Sequence, residues 1–161
     1  MSEHAARVVW EEVGKRPGVE TELIDVATLP IPVDDAGESA KDPAFADTIN
    51  RADALVVVTP EYNHGYAGML KHVLDTNLKE YIHKAAGVVG VAAGVFGGAR
   101  AIENLLPVLR ELGLVTIFWD VNFTTVRRRF DDEGTLVDDS FLAIDKFLDE
   151  LLWMAETLRY G

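Results

Sequence analysis

With 161 residues, 48% hydrophobic and 26% charged, the chain has the length and composition of one globular domain, residues 1–161, able to bury about 70% of its unfolded surface, which excludes a disordered or fibrous protein. Fifteen Lys and Arg against 27 Asp and Glu give a net charge of −12, which repels nucleic-acid phosphates and anionic lipid headgroups, so neither nucleic acid nor membrane is an expected partner. The absence of cysteine excludes disulfides, Cys-ligated metal centres and thiol nucleophiles, so redox chemistry must come from a bound cofactor; an acidic start and the lack of a long apolar run make the cytoplasm the expected location.

Residues 4–15 place Ala5, Val8, Val9 and Val13 at helical spacing ahead of Pro17-Gly18, so the chain is expected to begin inside a helix. Residues 19–26 alternate as a short strand near a sheet edge would. The stretch Thr28 to Asp42, with Pro30, Pro32 and Gly37 among acidic residues, reads as an exposed loop, and Pro43 opens a short helix to about Arg51. Residues 54–59, ALVVVT, form an uninterrupted β-branched run, the pattern of a strand covered on both faces and hence of a parallel sheet. Met69, Leu70, Val73, Leu74 and Leu78 then predict an amphipathic helix to about Tyr81. Residues 86–93 are a second buried run; the following helix carries Ile102, Leu105, Leu106, Leu109 and Leu112 and is capped by Gly113. A strand is predicted at 114–119, then a polar hairpin through RRRFDDEG, then a last helix from about Asp139 with Phe141, Ile144, Leu148, Leu151, Leu152, Ala155 and Leu158 on one face. This alternation predicts an α/β fold with helices on both faces of a parallel sheet.

In such sheets ligands sit at the carboxyl ends of the strands, which directs attention to the loops after Thr59 and after Ala93. Loop 60–65, Pro-Glu-Tyr-Asn-His-Gly, joins a buried strand to a helix, so its amides can face a planar, electron-rich ligand. A plain structural turn is the alternative, but turn chemistry alone needs only one or two of these polar residues. Loop 94–98, Gly-Val-Phe-Gly-Gly, offers bare backbone against which a flat ligand could lie; glycine turns are common, so this motif is weak by itself. His64, His72 and Asp75 have no recognised ligand spacing, and no metal is expected. Arg127, Arg128 and Arg129 could grasp a phosphate, but beside Asp131, Asp132 and Glu133 they read better as exposed pairs on a hairpin. No GxSxG elbow is present to anchor a hydrolase triad.

Together, VVVTPEYNHGYAGMLKHVLD and, some way on, GVFGGARAIENLLPVLRELG resemble the NADPH-dependent FMN reductase family of flavodoxin-like proteins, with the likeness running from ELIDVATLPIP to LRELG and more weakly through FDDEG. The resemblance implies a doubly wound, three-layer α/β/α sheet of order 2-1-3-4-5, bound FMN, and a homodimer or homotetramer. It implies that Pro60, Glu61, Tyr62 and Asn63 border the flavin ring and ribityl chain, that His64 assists, and that Gly94, Gly97 and Gly98 line the ring's polar edge. The stripe at Met69–Leu78 is chiefly core; its flank, with Tyr81, is expected at a subunit interface.

Three positions depart from the family pattern. Ala67 stands where many members have proline. Ala93 stands where many have serine, which removes one side-chain hydrogen bond to the flavin. The family's opening strand and GSxRxxS phosphate loop precede the point where Met1 falls, leaving an expected gap in mid-sheet between residues 19–26 and 54–59. An upstream start is favoured for filling it, with direct pairing of the flanking strands and a segment donated by another chain as alternatives.

The activity implied is hydride transfer from NAD(P)H through FMN to a small electrophile: flavin, quinone, azo compound or metal oxyanion. The cofactor carries the chemistry, so no side chain is assigned as a catalytic acid or base. The competing reading is a flavodoxin-like binding or scaffold domain that no longer takes FMN.

Overall fold

The computed structural model describes residues 1–33 and 37–160. Ala54–Pro60 (β1) and Ala85–Val91 (β2) pair in parallel along their full length, from Ala54 against Ala85 to Pro60 against Val91. Because side chains alternate across a strand, this ladder feeds two separate cores. Val57, Ala86 and Val88, with half-buried Leu55, face Phe45 and Ile49 of α2 (Pro43–Arg51), Leu70, Val73 and Leu74 of α3 (Gly68–Leu74), and Ile102, Leu105 and Leu109 of α4 (Ala99–Glu111). Ala85, Val89 and Val91, with half-buried Val56 and Val58, face Ala5 and Val9 of α1 (Ser2–Gly14) and Phe147, Leu148 and Leu151 of α5 (Ile144–Tyr160). The result is the three-layer, flavodoxin-like α/β/α arrangement. Among the described residues no helix is long and apolar enough to cross a membrane.

The strand expected at 114–119 is instead an interrupted edge strand. Val115–Thr116 (β3) pairs with Ala85–Ala86 and Val121–Phe123 (β4) with Val89–Val91, both parallel, and between them the register slips by two residues. The slip expels Phe118, 81% exposed, and sets its ring edge-on to Trp119. Asp120 lies in the same interruption, where burial and, secondarily, the Glu103 carboxylate push its carboxyl up to about 6.

Residues 19–26 do not form a strand. Only Val26–Thr28 takes a regular form, a single 3-10 turn whose Ala27 amide is capped by the Asp25 side chain, and half-buried Ile24 and Val26 pack on the first core. No ladder joins 19–26 to β1, whose edge away from β2 has no strand partner among the described residues. An alternating pattern without a neighbour to complete its hydrogen bonds stays outside a sheet.

The exposed loop expected over 28–42 contains a 3-10 turn at Gly37–Ala40, and its residues 34–36 lie outside the described residues. Helix α3 stops at Leu74 instead of reaching Tyr81, because the Thr76 hydroxyl donates to the Val73 carbonyl at 2.8 Å and competes with helical continuation. Tyr81 is wholly buried in the chain's own core, so it cannot join the subunit contact expected of it; Met69 and Leu78 are the exposed members of that stripe. Helix α5 begins at Ile144, not Asp139: Phe141 and Ala143 have φ of 65° and 50°, outside the helical region, and Phe141 is 99% exposed.

Two outcomes follow. A Cβ on Gly87 would lie 2.4–2.5 Å from the Phe147 ring, so Gly87→Ala should destabilise the fold by about 1–3 kcal/mol in denaturant titration, and adding Phe147→Leu should recover part of the loss. Because the folded-state pKa of Asp120 is raised, its stabilising contribution is complete below the ordinary aspartate range and is lost as pH rises through about 6. Asp120→Asn should therefore gain stability over the wild type by about 1 kcal/mol at neutral pH, discounted for partial exposure, and the difference should vanish near pH 4 (roughly the unperturbed aspartate value) when melts are compared across pH.

Candidate active site

The parallel ladder delivers two loops side by side. Where β1 ends, the Glu61 amide donates to the Val91 carbonyl at 2.9 Å, extending the pairing one residue beyond Pro60. Tyr62 and Gly65 then exchange reciprocal backbone hydrogen bonds of 2.9 Å around Asn63 and His64, both left-handed with φ of 50° and 69°, a primed two-residue turn. Thr59, fully buried, accepts from the Ala67 amide through Oγ1 at 3.2 Å and fixes the entry to α3. Loop 60–65 is thus a miniature hairpin standing at the carboxyl end of the sheet.

The second loop lies flat on β2. Cβ atoms on Gly97 and Gly98 would fall 2.8 Å from Asn122 and Thr124 side-chain atoms and 2.6 Å from the Val91 nitrogen, respectively. Both residues are buried with positive φ, so their glycines are required by contacts within the chain. Gly94 differs: it is exposed and nothing lies near its missing Cβ.

Four of the five carbonyls of residues 94–98 are engaged. Gly94 O accepts from the Thr125 amide at 2.9 Å, Phe96 O from Ala99 at 3.0 Å, Gly98 O from Ile102 at 3.0 Å, and Gly97 O from Asn122 Nδ2 at 3.3 Å. The N–H groups of residues 93–98, and those of Asn63 and His64, have no acceptor among the described residues. Most carbonyls tied down and the amides left free make the surface chiefly a shelf of donors, matched to the electron-rich edge of a planar ligand. Tyr62, Val95 and Phe96, 64%, 72% and 60% exposed, supply apolar surface around it. This donor set and its apolar rim fit a flavin ring. Two concavities lie away from it: one of about 170 Å³ includes Asp53 and Lys84 at the amino ends of the strands, and one of about 400 Å³ includes Lys41 and Glu80. The site is an open shelf.

Of the residues singled out in the sequence, Pro60 closes β1, Tyr62, Asn63 and His64 stand exposed on the turn, and Gly94 faces solvent. Glu61 behaves differently, its side chain only 6% exposed and paired with Arg100, whose Nε and Nη2 reach Oε1 at 2.7 and 2.6 Å. Nη1 of Arg100 donates to His64 Nε2 at 2.9 Å, and its guanidinium lies 4.7 Å from the Phe96 ring centroid. Asn104 donates to the His64 and Arg100 carbonyls at 2.8 and 2.7 Å. Arg100 and Asn104 are the residues that motif reading missed. Their signal was an arginine in the first turn of a helix, against the macrodipole, with an amide one turn later.

Arg129 corrects the expectation of exposed pairs. Arg127 and Arg128 are exposed, but Arg129 is 5% exposed and donates to the carbonyls of Thr124, Asp138 and Ser140 and to Thr124 Oγ1 at 2.9–3.0 Å. It braces the segment whose Asn122 and Thr124 pack on Gly97.

The model of the NADPH-dependent FMN reductase family matches residues 1–125. An NAD(P)H-dependent FMN reductase of Pseudomonas aeruginosa is 34% identical over 131 residues, 76% of this chain and 71% of its own. An NADPH:quinone oxidoreductase of Arabidopsis thaliana is 30% identical over 140 residues, 76% of this chain and 67% of its own. Among solved structures, FerB from Paracoccus denitrificans, a flavoenzyme NAD(P)H:(acceptor) oxidoreductase, superposes with a TM-score of 0.75 at 26% identity, covering 96% of this chain and 91% of its own. With the family model spanning most of the sequence and the donor shelf at the carboxyl ends of β1 and β2, the chain belongs to the NADPH-dependent FMN reductase family.

Proposed function

We propose that this chain, an FMN-dependent NAD(P)H oxidoreductase by family, holds the flavin ring on the amides of residues 93–98 and of Asn63 and His64, and reduces a small planar acceptor there. The observation that carries the reading is the imbalance of the second loop, where four of the five carbonyls of residues 94–98 are satisfied by the protein while the amides find no acceptor among the described residues. Such donors stabilise negative charge on an electron-rich ring without rearranging as that charge grows. Tyr62, Val95 and Phe96 bound the shelf and would exclude water from its ring-facing surface. Pro60, Glu61, Gly97 and Gly98 act through the backbone they shape; Tyr62, Asn63, His64 and Gly94 are the members of the site open to a ligand.

When bound, FMN supplies the redox chemistry, taking a hydride from NAD(P)H and passing electrons to the acceptor. The chain's part is to bind and orient planar groups, and no side chain has to move a proton. Quinones are the first acceptor class to test, since relatives carry that activity in their names; flavins, azo compounds and metal oxyanions share the needed electrophilic character. We also place residues 1–161 in one domain working in the cytoplasm as a homodimer or homotetramer, with exposed Met69 and Leu78 as contact candidates. The comparisons lend no support to the flavin-free scaffold reading.

Purified protein supplied with FMN should quench flavin fluorescence, turn yellow and oxidise NADPH faster when a benzoquinone is added. Phe96→Ala should weaken FMN binding severalfold while costing less than about 1 kcal/mol of stability, because its ring is 60% exposed. Flavin fluorescence left unquenched by the wild type would contradict the assignment.

A further inference from the structure

Arg100 sits where electrostatics disfavours it, in the first turn of α4, at the positive end of the helix. The cation is held there by partners on two different loops. Nε and Nη2 grip Oε1 of Glu61, Nη1 donates to His64 Nε2, and the guanidinium carbon lies over the Phe96 ring. Glu61 is buried, and its second oxygen has no partner among the described residues, so Arg100 is the counter-charge that keeps this carboxylate in place. Because a guanidinium only donates, His64 Nε2 must be the acceptor and the imidazole proton must sit on Nδ1. Asn104, one turn further along α4, reinforces the grip by donating to the His64 carbonyl.

We infer that Arg100 is the positioning residue of the site: one side chain locks the hairpin of loop 60–65 to the Phe96 loop, and it holds the His64 ring with Nε2 as acceptor and the proton on Nδ1. The inference rests on the reading of the shelf as the seat of a flavin ring. A rigid planar ring needs the free amides of both loops at a fixed spacing, and a misplacement of about 1 Å in such a site costs up to about a hundredfold. Arg100 need not touch the ring. Lysine cannot replace it, since an ammonium can pair with Glu61 but has no planar fork to reach His64 at the same time.

The test compares wild type with Arg100→Lys, following FMN affinity by fluorescence quenching, melting of the flavin-free protein, and the 15N imidazole signals of His64 assigned by difference with His64→Gln. Arg100→Lys should remain folded, bind FMN at least about tenfold more weakly, and show His64 as a mixture of tautomers. If Arg100→Lys fails to fold, the double variant Glu61→Gln/Arg100→Gln removes both charges together, leaves no isolated buried ion, and should show the same weakening. FMN affinity and a His64 tautomer equal to wild type in the folded variant would overturn the inference, as would a loss of affinity no larger than the unfolded fraction explains. A wild type that binds no FMN overturns the flavin reading and this inference with it, whereas a wild type that binds FMN beside an unaffected variant overturns the inference alone.

Discussion

The site depends on the unbroken parallel pairing of β1 with β2. Seven residues of each strand run in register, and the last pair, Pro60 against Val91, is followed by a further bond from the Glu61 amide to the Val91 carbonyl. Two loops therefore leave the sheet at the same level and one strand spacing apart. A slip of one residue would turn every side chain of a strand to the opposite face, and here both faces are filled with core, so the register is strongly fixed. The level of the shelf is a by-product of core packing.

From that base the second loop gains its character by losing side chains. Gly90, Gly97 and Gly98 allow backbone to lie directly on backbone, and Asn122 and Thr124 close over Gly97 from the edge strand. Arg129, buried behind them, spends its donors on carbonyls of 124–140 and so anchors a segment that contains little regular structure. With four of the five carbonyls of residues 94–98 bound to neighbouring protein, its remaining polar capacity is mostly donor. That asymmetry suits electron-rich rings, because unpaired amides are donors whatever the net charge of −12.

The helices, β1 and β2 were legible because their signals are local: the β-branched run 54–59, the spacing of Ile102, Leu105 and Leu109, and Asp42-Pro43 ahead of α2 each state their structure within a few residues. The failures share a different cause. Residues 19–26 alternate like a strand, but a strand exists only through a neighbour. LVTIFW has the composition of one continuous strand, and the two-residue register slip between β3 and β4 is set by what β2 offers across the ladder. Phe141 fits the helical periodicity of α5 and yet points away from it, because the chain turns through left-handed conformations at Phe141 and Ala143 just before the helix starts.

The sequence alone determined the class of fold and the two loops that leave β1 and β2, with the glycines and hairpin residues within them proposed as the site, because hydrophobic periodicity and turn chemistry are written in adjacent positions. Only the tertiary structure decided that Gly97 and Gly98 serve the chain's own packing while Gly94 stays open, that Glu61 is buried, and that Arg100, 39 residues away, holds it. Those facts depend on which atoms meet after two cores have closed on one sheet, and no local pattern encodes a meeting between residues so far apart in sequence.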